Sequence, residues 1–247
     1  MASNPPGECC AKGTKHEGEP KGEFKLVDGI DTYLAHPASG STKDAIVILT
    51  DIFGHKFVNV RLIADSFAER GYFVAVPDLF NGDPAPLDRP AGFNVMEWLK
   101  NGHTMKEVDP IVERVISDLK TTHGVERLGG VGYCFGGKYV TRFLKASKID
   151  AGFIAHPSHV SVEEVEAIEG PLSIAAAEID PIFPVQKRRE TEDILLKKDI
   201  RWQMNLFSDV EHGFAVKGDL TNSHIRWAKE QAFLQAVQWF DEHVKKH

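Results

Sequence analysis

Cysteine is scarce, with Cys9, Cys10 and Cys134 the only three in a chain of 247 residues. An odd count with two adjacent members excludes a disulfide scaffold, because neighbouring cysteines do not easily bridge each other. The chain also lacks any apolar run near the roughly 18–20 residues that a membrane span needs. Residues 1–22 are polar, rich in Gly and Pro, and without the apolar core of a secretion signal. Positive charge is in deficit: 29 Lys and Arg face 36 Asp and Glu, for a net charge of -7. That balance argues against a nucleic acid or an anionic membrane as partner. No phosphate-binding glycine loop or dinucleotide fingerprint is present, and no His has further ligands at zinc spacing. No cofactor and no metal are therefore expected. The last residues match no retention or peroxisomal signal, so the expected location is cytoplasmic. A small-molecule substrate is the expected partner, with the chain a monomer or homodimer.

What is present is 42% hydrophobic and 26% charged residues, the composition of a soluble domain with a sizeable core. The expected organisation is an N-terminal arm over 1–22 and a single domain over 23–247. Cys9 and Cys10 fall in that arm and read as two thiols lying on the domain. Continuous apolar runs at 45–50, 72–76, 128–133, 151–155 and 172–177 read as strands buried on both faces. A further strand is expected at 201–207 and a hairpin at 23–35. Helical spacing marks 58–70, 105–122, 138–146, 184–197 and 223–243. Strands alternating with helices predict an α/β class fold, a mostly parallel central sheet with helices on both faces. Such sheets carry their sites at the carboxyl ends of the strands.

The chemistry concentrates on Gly132-Tyr133-Cys134-Phe135-Gly136, which fits G-x-C-x-G between a strand and a helix. With serine in the middle this is the nucleophile elbow of α/β-hydrolases; here the nucleophile is a thiol. The chain order of that fold is nucleophile, acid, histidine. Asp180 follows the 172–177 strand and His212 follows the 201–207 strand, each in the right place. His212 would take the thiol proton, and Asp180 would hold the imidazole. Backbone N–H groups of Phe135 and of Ile52, in the loop after the 45–50 strand, would bind the oxyanion. Against this stand blander readings: Cys134 as a buried apolar residue, Asp180 as a cap ahead of Pro184, and His212 as a turn residue. Glu178 is a rival acid, and His156 and His159 follow a strand and read as structural or substrate-facing.

These residues resemble the dienelactone hydrolase family, of the α/β-hydrolase fold. The matching stretches are Thr50-Asp51-Ile52-Phe53-Gly54, Val76-Pro77-Asp78-Leu79-Phe80, Gly132 to Gly137 and His212-Gly213-Phe214-Ala215, and the likeness runs over about 32–244. It is closest to a fungal branch whose N-terminal arm carries a Cys-Cys pair like Cys9-Cys10, and which includes proteins of polyketide biosynthetic clusters. The resemblance implies a Cys134, His212, Asp180 triad, with Ile52 and Phe135 as oxyanion donors. Bacterial members place Glu where this chain has Asp51, and bind a substrate carboxylate with two arginines. Here those positions hold Val216 and the Asn81-Gly82-Asp83 turn, with Lys217 and Arg89 as shifted substitutes. A dianionic lactone is therefore not the expected substrate. Phe53, Phe80, Trp98, Phe183 and Phe214 fall in or near post-strand loops and suggest an aromatic or polyketide-type ligand. The expected activity is hydrolysis of a lactone, ester or thioester through an acyl-enzyme. Non-hydrolytic acyl transfer, cyclisation or isomerisation of a polyketide intermediate is the alternative, as is a non-catalytic binding role.

Overall fold

A computed structural model of the chain describes residues 2–11, 13–88 and 92–245. Eight strands form one sheet in the order β1-β2-β4-β3-β5-β6-β7-β8. The edge hairpin of β1 (Glu23–Val27) and β2 (Ile30–Ala35) joins β4 (Phe73–Pro77) antiparallel. Every other pairing is parallel, through β3 (Asp44–Leu49), β5 (Arg127–Tyr133), β6 (Ala151–Ala155), β7 (Leu172–Ile179) and β8 (Trp202–Glu211). The expected α/β architecture is the one the chain adopts.

The period of two along each strand divides the core into two layers. On one face Val47, Leu49, Ile174 and Ala176 meet α2 (Val95–Lys100), α3 (Met105–Thr121), α4 (Phe135–Phe143), α5 (Val162–Glu166) and α6 (Val185–Leu195). On the other, Ile46, Ile48, Ala175 and Ala177 meet α1 (Val58–Glu69), α7 (Phe214–Lys217) and α8 (Ser223–His243). Among the described residues no helix is long and apolar enough to cross a membrane.

Three departures from the sequence reading matter for the site. α4 starts at Phe135 rather than 138, directly on Cys134. The two glycines that read as loop are required by packing: a Cβ on Gly136 would lie 1.8 Å from the Leu49 carbonyl oxygen. β7 and β8 each run past the expected ends, through a bulge that pairs Ile179 with Glu211. The residues that follow are Asp180 and His212, so the parallel register itself brings the two together. Finally, a 3-10 turn over Glu8–Ala11 forms within the N-terminal segment. Cys10 is not on the surface, as expected for an arm lying on the domain; it is fully buried.

Gly132 and Gly136 leave the elbow no space for a methyl group, since a Cβ on Gly132 would sit 2.7 Å from the Gly136 carbonyl oxygen. Gly136→Ala is expected to cost more than about 4 kcal/mol or to prevent folding. Urea unfolding checks this, and a wild-type midpoint would contradict it.

Candidate active site

Cys134 links β5 to α4 at φ 49° and ψ -107°, a strained turn for a residue with a Cβ. The turn is fixed by backbone bonds: Cys134 N–H to Ala155 O at 3.1 Å and Gly136 N–H to Thr50 O at 2.9 Å. The sulfur therefore stands at the N-terminus of α4, where the helix dipole favours a thiolate.

Across the sheet, His212 Nδ1 lies 2.9 Å from Asp180 Oδ2 and 3.0 Å from Oδ1, with both side chains fully buried. Asp180 Oδ1 also accepts the N–H groups of Ile182 (2.8 Å) and Phe183 (3.0 Å). Asp180 does not cap α6, whose N-cap is Pro184 with no side-chain cap bond; its carboxylate fixes the turn ahead of that helix and also contacts the imidazole. Glu178 is spent elsewhere, on the Asp209 N–H.

The remaining geometry was not legible in the sequence. Cys134 Sγ makes its contacts with Cys10 Sγ, at 3.3 Å, and Ser158 Oγ, at 3.6 Å. His212 Nε2 meets Cys10 Sγ at 3.4 Å. The donor atoms of Cys10, Cys134 and His212 lie within 4.8 Å of one another, with Cys10 in contact with both partners. Among the described residues this is the one group of three that could hold a metal ion; Asp180 on Nδ1 would orient Nε2 as the ligand.

Electrostatics favour charge separation. Burial alone would raise the Cys134 thiol, but the Cys10 hydrogen bond and the His212 and Lys217 charges hold it well below its ordinary value. Burial likewise opposes the His212 cation, yet the Cys134 and Asp180 charges raise it to about 10. Hydrogen bonding to Cys134 and Cys9, with burial, pushes Cys10 well up, so it stays a neutral thiol.

His156 is buried against this pair, its ring 5.0 Å from His212 and 5.7 Å from Phe214. Neither ring nitrogen has a hydrogen-bond partner, and burial followed by the His212 charge keeps it neutral. His159 lies apart, against Lys138 and Glu164. Ser158 was missed; its signal is its place in His156-Pro157-Ser158-His159, directly after β6. Cys10 carries a sequence signal only as part of the Cys9-Cys10 pair; nothing in its spacing points to the elbow.

The other expected residues are placed as follows. Phe135 directly follows Cys134 and Ile52 belongs to the same apolar cluster; no described hydrogen bond uses either N–H, whereas Phe53 N–H is spent on Asp51 Oδ1. Asp51 is buried with Oδ2 unpartnered and makes no hydrogen bond to Cys134. Phe80, Trp98 and Phe135 pack on one another, in the same apolar cluster as Cys134, Cys10 and Phe183. Phe53 and Phe214 belong to the opposite layer. Lys217 is buried, with Nζ 5.0 Å from the Phe53 ring centre and donating to the carbonyls of Cys9 and Cys10. Its cation is committed to the N-terminal segment. Arg89 lies outside the described residues. A cavity of about 300 Å³ opens beside His212, lined by Cys9, Thr14, Phe214 and Lys217 among others.

Comparison with known proteins identifies the family and the fold. Residues 30–244 match the model of the dienelactone hydrolase family. Hydrolase pyvD of Aspergillus violaceofuscus is 50% identical over 246 residues, covering 100% of both chains. Hydrolase tropI of Talaromyces stipitatus is 46% identical over 253 residues, again covering 100% of both. Among solved structures, the propionate-bound esterase Est2 of Thermogutta terrifontis superposes with a TM-score of 0.69 at 18% identity. That match covers 92% of this chain and 97% of the esterase, and it shows a shared fold.

Burial raises the Asp51 carboxyl to about 6, against the partial relief that Lys217 provides. The sign follows from linkage: a raised acid favours the fold while protonated, below its unfolded value, and that favour is lost as pH rises through about 6. The charged form then costs on the order of 3 kcal/mol. Asp51→Asn keeps the Oδ1 acceptor and removes the charge. It is expected to be more stable than wild type at pH 8, with the gain vanishing near pH 4; urea unfolding across that range measures it. A gain that is absent or independent of pH would contradict the assignment.

Proposed function

This chain belongs to the dienelactone hydrolase family and is a hydrolase, and on that premise we propose that it cleaves a lactone, ester or thioester through an acyl-enzyme on Cys134. The observation that carries this reading is the His212 imidazole, held at Nδ1 by Asp180 at 2.9 Å and sharing a buried cluster with the elbow sulfur. In this reading the Cys134 thiolate attacks the carbonyl carbon. The Ile52 and Phe135 N–H groups bind the developing oxyanion, each worth roughly 3–4 kcal/mol of barrier. His212 then passes its Nδ1-anchored cation's Nε2 proton to the departing oxygen or sulfur. Asp180 stabilises the imidazolium until that transfer. In the second half, His212 draws a proton from water, which attacks the thioester and frees Cys134.

An aromatic or polyketide-type substrate is supported by the rings of Phe80, Trp98, Phe135 and Phe183, which share the apolar cluster of Cys134. A dianionic substrate is disfavoured by Val216, buried where an arginine would be needed, and by Lys217, already engaged. Full burial of Cys134 and His212 favours a second reading, acyl transfer or cyclisation with water excluded. Product mass separates them, because hydrolysis adds one water.

Cys134→Ala is expected to lower turnover of activated aryl esters at least 10^3-fold, an order of magnitude set by nucleophile deletions elsewhere, while thermal unfolding shows the fold intact. Asp180→Asn keeps the turn cap but presents the wrong partner to Nδ1. It is expected to lose roughly 10^3–10^4-fold in kcat. Full activity in the folded Cys134→Ala protein would reject the mechanism.

A further inference from the structure

The mechanism above does not use Cys10, yet Cys10 is the residue most intimately placed in the site. Its sulfur is fully buried, 3.3 Å from Cys134 Sγ and 3.4 Å from His212 Nε2. A reacting carbonyl needs a position about 3 Å from its nucleophile and its donors. Cys10 Sγ, in contact with both the elbow sulfur and the imidazole, fills that space. The segment that carries it is strapped to the domain at several points. Ser3 N–H reaches Val160 O at 2.9 Å, Asn4 N–H reaches Ile182 O at 2.7 Å, and His159 N–H reaches Asn4 O at 2.6 Å. Beyond the thiols, Thr14 N–H reaches Lys217 O at 2.8 Å. Lys217 Nζ closes on the carbonyls of Cys9 and Cys10 themselves. Cys10 is therefore held against Cys134 by its own backbone and by a buried cation.

We infer that Cys10 and Cys134 form an oxidisable dithiol, which a peroxide converts into a disulfide that locks the N-terminal segment in the place it occupies over the site. The sulfurs need to approach by only about 1.3 Å from their 3.3 Å contact to reach disulfide bonding distance. Cys9 is the wrong partner: it is half-buried and lines the neighbouring cavity, and a bridge to its neighbour Cys10 is strained. That cavity reaches His212 and Cys9, the neighbours of the buried pair.

The chemistry balances without further reagents. The Cys134 thiolate attacks one peroxide oxygen, the O–O bond breaks, and an alcohol or water leaves with the His212 proton. Cys134 is then a sulfenic acid. The Cys10 sulfur displaces its hydroxyl, the S–O bond breaks, the S–S bond forms, and water leaves with the Cys10 proton. Two thiols are oxidised and one peroxide is reduced. Pairing of the sulfurs stands on their contact alone; only the loss of turnover rests on the function proposed above.

The test uses the full chain exposed to stoichiometric hydrogen peroxide, alkylated, and digested without reduction. Mass spectrometry should find the N-terminal peptide joined to the Cys134 peptide with loss of two hydrogens, and fragmentation should place the link on Cys10. Dithiothreitol should release it. Cys9→Ser should still form the link. Cys10→Ser should not; its Cys134 should stop at sulfenic acid, trapped by dimedone, and a second equivalent of peroxide should carry it to sulfinic acid, which dithiothreitol does not reverse. Aryl-ester turnover should fall in proportion to the linked fraction and return on reduction. No linked peptide in the wild-type protein, or a link that fragmentation places on Cys9, would overturn the inference. So would a tightly bound metal, found by elemental analysis, that occupies the thiols and prevents linkage. Because the link is read by mass, a protein inactive on every ester tried would still decide the pairing.

Discussion

A buried imidazole fixed by a buried carboxylate is the contact on which the site depends. Burial opposes the His212 cation, so the imidazole needs its charged neighbours. The Asp180 carboxylate accepts the Ile182 and Phe183 N–H groups and contacts His212 Nδ1. His212 in turn is held as a cation by Asp180 and by the sulfur of Cys134. A third charge, on Lys217, adds to the field that lowers the Cys134 thiol. The charges thus support one another, and removing any one leaves the others buried without compensation.

The fold makes that contact by register. β7 and β8 lie parallel and end together, so the residues after each strand meet at the carboxyl edge of the sheet. The bulge between Ala177 and Ile179 adds length to β8 and sets Glu211 opposite Ile179. Elsewhere in the sheet, Gly132 on β5 and Gly136 on α4 let α4 press against β3 closely enough to force Cys134 into its strained turn. The elbow sulfur and the imidazole are both displayed by backbone geometry that packing dictates.

Much of this was readable from residues. The buried strands announced themselves as unbroken apolar runs, and Cys134, Asp180 and His212 were each located by what they follow. The short helices α2, α5 and α7 were not, because four to six residues carry too little periodicity to register. The start of α4 was misplaced because Gly136 and Gly137 have loop propensity; only the Leu49 carbonyl and the Pro157 side chain explain why glycine is needed there. Cys10 was unreadable for a different reason. Its place depends on a contact spanning 124 positions to Cys134 and 202 to His212, which no local pattern encodes. The aromatic residues were found, but the packing of Phe80, Trp98 and Phe135 on one another depends on the same long-range fit.

The central claim is that the Cys10 hydrogen bond and the His212 cation together hold the Cys134 thiol well below its ordinary value. Ultraviolet thiolate absorbance, titrated in wild type and in Cys134→Ala and subtracted, measures this directly. The account expects a difference signal already present at neutral pH and displaced toward the ordinary thiol range in His212→Gln. A Cys134 signal that emerges only near pH 9 in wild type, unchanged by His212→Gln, would contradict it.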